Sequence, residues 1–273
     1  MKYYIDGKFI SSKKASIPFN DAGFLYGYGL FETMRFENRK IFSIENHLNR
    51  LTKGLIIIGI KIDKNKLELE NLLNEVININ NLDSGIIRLM ITKGNTDYSQ
   101  EKISTPRFFI SIKPFYTIPT DPVKIIYFKE SNYPIIRFTP AIKSMNYIGN
   151  MLSKKDCEKK GGYEPAFYNN NNIITECAIR NIFYFKGNVL VTPSLDLGIL
   201  SGVMRETIID IAKDLNFKVM ESHIDYKTIN DMDEAFISST GIGLLSCYWD
   251  GWTSMYNNTM IIKKELFKRI KNN

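Results

Sequence analysis

Ala141-Ile142-Lys143-Ser144-Met145-Asn146-Tyr147-Ile148-Gly149-Asn150 joins an apolar, strand-like approach (Ile135, Ile136, Phe138, Ile142) to a helix predicted to begin near Asn146. Most basic residues of this chain lie in charge-rich runs such as Lys13-Lys14 or Lys263-Lys264-Glu265, whereas Lys143 is flanked by Ala141, Ile142 and Met145. A lysine whose ammonium is poorly solvated loses basicity, and its neutral amine can then form a Schiff base with a carbonyl. The same placement also suits a structural lysine that packs its stem and keeps its head in water. The rest of the chain decides between these.

Upstream, Asn20-Asp21-Ala22-Gly23-Phe24-Leu25-Tyr26-Gly27-Tyr28-Gly29-Leu30-Phe31-Glu32-Thr33-Met34-Arg35-Phe36 places three glycines ahead of a strand. Such spacing marks a turn whose backbone must approach something closely, or simply a hairpin corner. It is no dinucleotide fingerprint, because a strand follows where a helix would be required. Before it, residues 1–10 alternate around Asp6-Gly7, a strong hairpin signal. Leu48, Leu51 and Leu55 predict a helix over 44–60 that carries His47 and Arg50, with Glu45 in its first turn. A second helix is predicted over 65–80, then strands over 85–93 and 107–115, separated by a polar, mobile loop at 94–105. Pro119 and Pro122 mark the linker. Residues 1–117 thus read as a small N-terminal α/β domain and 118–273 as a larger C-terminal domain.

Composition narrows the class. At 273 residues, 44% hydrophobic and 24% charged, the chain can bury a large core. The longest apolar stretch, Leu55-Ile56-Ile57-Ile58, is far too short to cross a bilayer, and the N-terminus reads as a strand, not a signal peptide. A cytoplasmic protein without membrane attachment is the expectation. Three widely spaced cysteines and two histidines argue against a disulfide framework and a metal centre. The net charge of +7 is scattered among acids with no arginine-rich stripe, which speaks against nucleic acid and suits an anionic small-molecule substrate.

In the second half, strands are predicted over 123–128, 164–168, 173–178, 181–185, 189–191, 218–223 and 234–238. Helices are predicted over 146–160, from 198 to about 215, near 226–232 and over 260–271. Gly202-Val203-Met204 at a helix start offers backbone N–H groups and a favourable dipole to an anion. Ser239-Thr240-Gly241 offers further donors, and Arg50 could clamp the same anion bidentately. Glu176 sits mid-strand among apolar or small residues, where a carboxylate demands a cationic partner. Arg180, which follows that strand, reads as surface-facing unless it serves a substrate. One ligand satisfies the whole set with a phosphate, a cationic ring nitrogen and an aldehyde for Lys143, namely pyridoxal 5′-phosphate. Each piece alone is an ordinary cap, turn or salt bridge.

Asp21…Tyr26-Gly27-Tyr28-Gly29-Leu30-Phe31-Glu32, His47-Leu48-Asn49-Arg50-Leu51, Lys143-Ser144-Met145-Asn146-Tyr147, Thr175-Glu176…Asn181-Ile182-Phe183 and Leu200-Ser201-Gly202-Val203-Met204-Arg205 together resemble the motifs of the fold-type IV pyridoxal-phosphate enzymes, the class IV aminotransferase family. They follow the family's order over nearly the whole chain. The resemblance implies a two-domain α/β (α+β) fold, with a small N-terminal domain, a larger barrel-like C-terminal domain and the active site between them, in a homodimer. It implies Lys143 as Schiff-base lysine and proton shuttle, and Glu176 as the acid that keeps the pyridine nitrogen protonated. Arg50, the amides of Val203 and Met204, and Thr240 would form the phosphate cup, and Leu200 would pack on the ring.

Within the family, Glu32-Thr33-Met34-Arg35 and the stretch from Thr192 to Arg205 resemble 4-amino-4-deoxychorismate lyase, a folate-pathway activity in which a threonine stands near the reacting carbon. The resemblance implies Thr33 as that residue here. Phe31 stands where D-amino-acid aminotransferases carry a tyrosine. Tyr26 and Phe31 are candidates to line the substrate, with Lys93, Arg107 and Arg180 as candidate cations for its carboxylates. A branched-chain or D-amino-acid aminotransferase uses the same residues and remains the rival reading, with a cofactor-free binding protein on the same scaffold as the third.

Overall fold

The alternation and helical spacing of the first half build one sheet with two helices against one face. We describe a computed structural model over residues 1–96 and 105–272. Two units are distinguished, Met1–Tyr116 with Ile142–Asn146, and Thr117–Ala141 with Tyr147–Asn272.

The first unit contains β1 (Lys2–Ile5), β2 (Lys8–Ser11), the short helix α1 (Ala22–Tyr26), β3 (Gly29–Glu37), β4 (Lys40–Ile41), α2 (Ile44–Ile57), α3 (Lys66–Asn80), β5 (Gly85–Thr92) and β6 (Arg107–Lys113). Its six strands run in the order β2-β1-β6-β5-β3-β4. Period-two alternation turns Leu30, Met34 and Phe36 of β3, Ile87, Leu89 and Ile91 of β5, and Ile110 and Ile112 of β6 into one core. Leu48, Leu51 and Leu55 of α2, and Leu69, Leu73, Val76 and Ile77 of α3, close that core. The second helix starts at a reciprocal cap: Asn65 Oδ1 accepts from the Glu68 amide at 3.0 Å, and Glu68 Oε2 from the Asn65 amide at 2.7 Å. Where a plain turn is expected at the glycine-rich corner, α1 forms instead. Asp21 caps it by accepting from the Gly23 and Phe24 amides at 2.9 and 3.2 Å, and Gly27 ends it at φ +66°. Five residues are too few to show helical periodicity. The expected loop at 94–105 falls for the most part outside the described residues.

The second unit contains β7 (Val123–Lys129), α4 (Ile148–Lys159), β8 (Glu164–Tyr168), β9 (Ile174–Cys177), β10 (Asn181–Lys186), β11 (Val189–Pro193), α5 (Val203–Asp214), β12 (Lys218–Ser222), β13 (Glu234–Ser239), β14 (Gly243–Tyr248) and α6 (Asn257–Lys271). Its eight strands run β12-β11-β10-β13-β14-β7-β8-β9, curled into a half-barrel. Three pairings are parallel (β11 with β12, β14 with β7, β7 with β8) and the rest antiparallel. The mixed α/β class agrees with the sequence reading. Some elements differ. The apolar approach over 135–142 forms no strand, and the helix expected from 198 opens only at Val203, after a 3₁₀ turn at Leu195–Leu197. The segment near 226–232 is also 3₁₀, over Tyr226–Asp231, and β14 was not anticipated. Among the described residues no helix is long and apolar enough to cross a membrane.

Candidate functional site

Lys143 owes its position to a short extension of the first unit's sheet. The Phe31 amide donates to the Lys143 carbonyl at 3.1 Å, the Met145 amide donates to the Gly29 carbonyl at 3.1 Å, and Leu30 and Ser144 form an antiparallel bridge. A segment distant in sequence is thereby fixed beside the N-terminal half of β3. The glycine-rich corner makes room for it. A Cβ on Gly29 would lie 2.7 Å from both the Ile91 carbonyl oxygen and Met145 Sδ, and one on Gly27 would collide with the Asn146 side chain. Asn146 Nδ2 in turn donates to the Gly27 carbonyl at 3.3 Å. The close approach that the glycine spacing suggested is therefore to the lysine segment.

Alternation along β3 puts Phe31 and Thr33 on the sheet face away from the two helices. Lys143 Nζ lies 4.5 Å from the Phe31 ring centroid, a cation–π contact. Arg88, opposite Thr33 on β5, places its guanidinium carbon 4.9 Å from the same centroid and donates from Nε to Thr33 Oγ1 at 3.2 Å. An amine, a hydroxyl and a guanidinium thus share one aromatic platform.

On the opposite face, Glu32 is fully buried and accepts three hydrogen bonds. Arg50 gives two, Nε to Oε1 at 2.8 Å and Nη2 to Oε2 at 2.7 Å; His47 Nδ1 gives the third, to Oε2 at 2.7 Å. Burial alone would raise the Glu32 pKa, but the Arg50 charge and the His47 contact outweigh it and bring it down to about 2. Arg50, which the sequence placed in an anion clamp, is a bidentate partner of Glu32 and keeps 16% of its side-chain surface exposed, while Glu32 and His47 keep none.

In the second unit, Glu176 on β9 has the cationic partner that its setting demands. Arg137 Nη1 bonds its Oε1, and the Leu200 amide donates to Oε2 at 3.4 Å. The same guanidinium donates to Glu130 at 2.9 and 2.8 Å and to Thr175 Oγ1 at 3.2 Å. Burial works to raise the Glu130 pKa, yet these bonds lower it. The first turn of α5 has no side-chain cap, since Gly202 occupies the cap position, so the amides of Val203 and Met204 are available to an anion. Gly202 is packed against Asn181, which lies opposite Ser238 in the β10–β13 ladder. The Ser238 hydroxyl is buried without a protein partner, and Thr240 follows in the turn after β13.

The remaining candidates have protein partners of their own. Tyr26 ends α1 and is exposed. Lys93 Nζ donates to the Gly59 carbonyl at 3.1 Å, and Arg107 donates to Asp6 and Asn95, each at 2.7 Å. Arg180 is buried rather than surface-facing, bonded to the fully buried Glu164 and to Tyr163 at 3.1 Å. Burial pushes the Glu164 pKa up against the opposing pull of Arg180. Sequence reasoning missed Arg88, whose place depends on strand register, and Arg137, which sits in an irregular stretch. Glu32 stood inside a quoted motif, but nothing in the sequence showed its partners.

The family model described as amino-transferase class IV matches residues 29–247. A putative branched-chain-amino-acid aminotransferase of Methanocaldococcus jannaschii is 30% identical over 277 residues, covering 99% of this chain and 96% of the relative. The aminodeoxychorismate lyase of Bacillus subtilis is 29% identical over 249 residues, covering 89% of this chain and 84% of its own. Among solved structures, the branched-chain aminotransferase of Thermoproteus uzoniensis, crystallised with norvaline, superposes with a TM-score of 0.89 at 23% identity, covering 100% of this chain and 96% of that one.

Proposed function

Since this chain belongs to the class IV aminotransferase family, we propose that it is a pyridoxal-phosphate-dependent lyase acting on 4-amino-4-deoxychorismate, releasing pyruvate and 4-aminobenzoate. The observation that carries the lyase reading is the Thr33 hydroxyl on the Phe31–Lys143 platform, bonded at 3.2 Å to Arg88.

The donor set suits the coenzyme. Uncapped amides at Val203 and Met204, the orphaned Ser238 hydroxyl beside Thr240, and Arg50 match a phosphate monoester. Lys143 matches its aldehyde, and Glu176, ion-paired with Arg137, matches a protonated ring nitrogen. When bound, pyridoxal phosphate would supply an electron sink for the carbon that bears the substrate's amine. The residues of the chain do the rest. Lys143 takes the proton from that carbon, for which its amine must be unprotonated. Leu200, whose amide bonds Glu176, would pack against the ring. Arg88 binds a substrate carboxylate, which a fork-shaped guanidinium does bidentately. Thr33, oriented by Arg88, delivers or relays the proton to the departing enol side chain.

A second reading is an aminotransferase for branched-chain amino acids, which the name of the Methanocaldococcus relative supports, or for D-amino acids; it uses Lys143 to return the proton to a different carbon. The test is to supply the protein with pyridoxal phosphate and then with aminodeoxychorismate. Stoichiometric pyruvate and 4-aminobenzoate support the lyase. Turnover of only an amino acid with 2-oxoglutarate supports the aminotransferase.

A further inference from the structure

The buried trio of Glu32, His47 and Arg50 holds one atom with nothing to bond. Glu32 is ionised and can only accept, so the proton between it and His47 sits on Nδ1. Nε2 of the same ring is then the acceptor of a neutral imidazole or the second donor of a cation. It is buried and has no protein partner, on a side chain with no exposed surface.

The charges of the trio are informative. Arg50 is matched by the carboxylate it grips, so with His47 neutral the three groups sum to zero. A phosphate dianion arriving at the partly exposed edge of Arg50 therefore meets no net positive charge from them. One proton on Nε2 changes the sum to +1 and turns both ring nitrogens into donors. The groups acting on the ring are Glu32 from β3, Arg50 from its own helix and Lys143 from the segment at 142–146. The neighbouring helix α3 contributes apolar Leu69 and Leu73 to the shared core. Burial, with the Arg50 and Lys143 charges, holds the His47 pKa below the ordinary value against the pull of Glu32, so the ring is neutral before an anion arrives.

We propose that His47 is the proton-coupled partner of Arg50: docking of a phosphate monoester on Arg50 draws one proton from solvent onto His47 Nε2, with Glu32 holding both side chains in register. One N–H bond forms and no other bond changes. The inference rests on Arg50 serving the coenzyme phosphate, as proposed above, and makes His47 a positioning and charge-supplying residue.

Having only two histidines makes the test direct. The full-length protein, labelled with ¹³C at histidine Cε1, is titrated with pH by NMR, alone and saturated with pyridoxine 5′-phosphate, which has the phosphate but no aldehyde for Lys143. The exposed His223 is removed by His223→Gln, which identifies the His47 signal without touching the trio. The expected result is a midpoint for His47 that rises by about one to three pH units on ligand binding, as an added opposite charge within a few ångströms produces. His47→Asn, which keeps a donor for Glu32 but cannot titrate, should bind the same ligand with a flatter pH dependence. A His47 signal that stays neutral at pH 6 to 7 with ligand bound overturns this inference alone. Failure of pyridoxine 5′-phosphate to bind at all overturns the Arg50 assignment with it.

Discussion

Lys143 and Phe31 are linked twice, through a backbone hydrogen bond of 3.1 Å and through an ammonium-to-ring distance of 4.5 Å. The backbone bond belongs to a ladder, so the amine is aimed by sheet geometry and not by a loop alone. That ladder exists only because two glycines vacate the space it needs.

Substituting Gly29 by alanine should therefore destabilise the protein. The added methyl meets a backbone oxygen and a sulfur at 2.7 Å, and the former cannot rotate away. Overpacking of this kind costs about 1–3 kcal/mol. For a chain of this size we expect a Tm lower by roughly 2–12 °C, using about 2–4 °C per kcal/mol. Thermal unfolding followed by circular dichroism checks it; an unchanged Tm would mean that β5 and the lysine segment do not close on Gly29 as tightly as the structure has them.

Acid should weaken the protein in two stages. Glu32 has its pKa depressed to about 2, so its contribution is complete above the unfolded value of 4.5 and disappears as pH falls towards 2. The contribution is on the order of 3 kcal/mol. His47, also depressed, begins to cost stability below its unfolded value of 6.5, because the unfolded chain takes the proton first. Urea unfolding of the wild type and Glu32→Gln between pH 7 and pH 3 should show a shallower acid slope in the variant, along with lower stability at pH 7.

Arg137 serves two carboxylates, Glu130 and Glu176. Replacement by lysine keeps the charge but cannot span both with a planar fork. Arg137→Lys should lower activity at least about tenfold while lowering Tm by only a few degrees, since the pairs are partly exposed and screened. Equal activity in the two proteins would remove Arg137 from the account of Glu176.

Arg88→Met isolates the proposed substrate cation. Losing a charge-assisted contact to a carboxylate costs about 1.5–3 kcal/mol, so kcat/KM should fall at least roughly 10- to 150-fold, with KM raised by the lost carboxylate contact and kcat lowered by the loss of the Arg88 bond that orients Thr33. Coenzyme absorbance should stay unchanged. A variant with wild-type KM would assign the carboxylate to another cation.

Long elements were legible from the sequence because their signals are local: Leu48, Leu51 and Leu55 announce α2, and the glycine-rich corner followed by residues 31–36 announces β3. What stayed hidden depends on pairing. Arg88 becomes notable only when β5 is set in register opposite Thr33, a fact no single strand contains. The segment at 135–142 looks like a strand by its isoleucines, yet Pro134 precedes it, Pro140 interrupts it and it stays irregular. The glycines leading into β3 signalled a close approach, while the object of Gly27 and Gly29, Asn146 and Met145, lies more than a hundred residues away. Arg180 is buried although its sequence context reads as surface-facing, because its partner Glu164 sits on a strand whose buried face the sequence does not mark.

The most direct measurement locates the coenzyme. The protein is saturated with pyridoxal phosphate, reduced with borohydride, digested, and its phosphopyridoxyl peptide identified by tandem mass spectrometry. A single adduct on Lys143, lost in Lys143→Ala together with visible absorbance, is the predicted result. A specific, stoichiometric adduct on any other lysine, or none, would contradict the account.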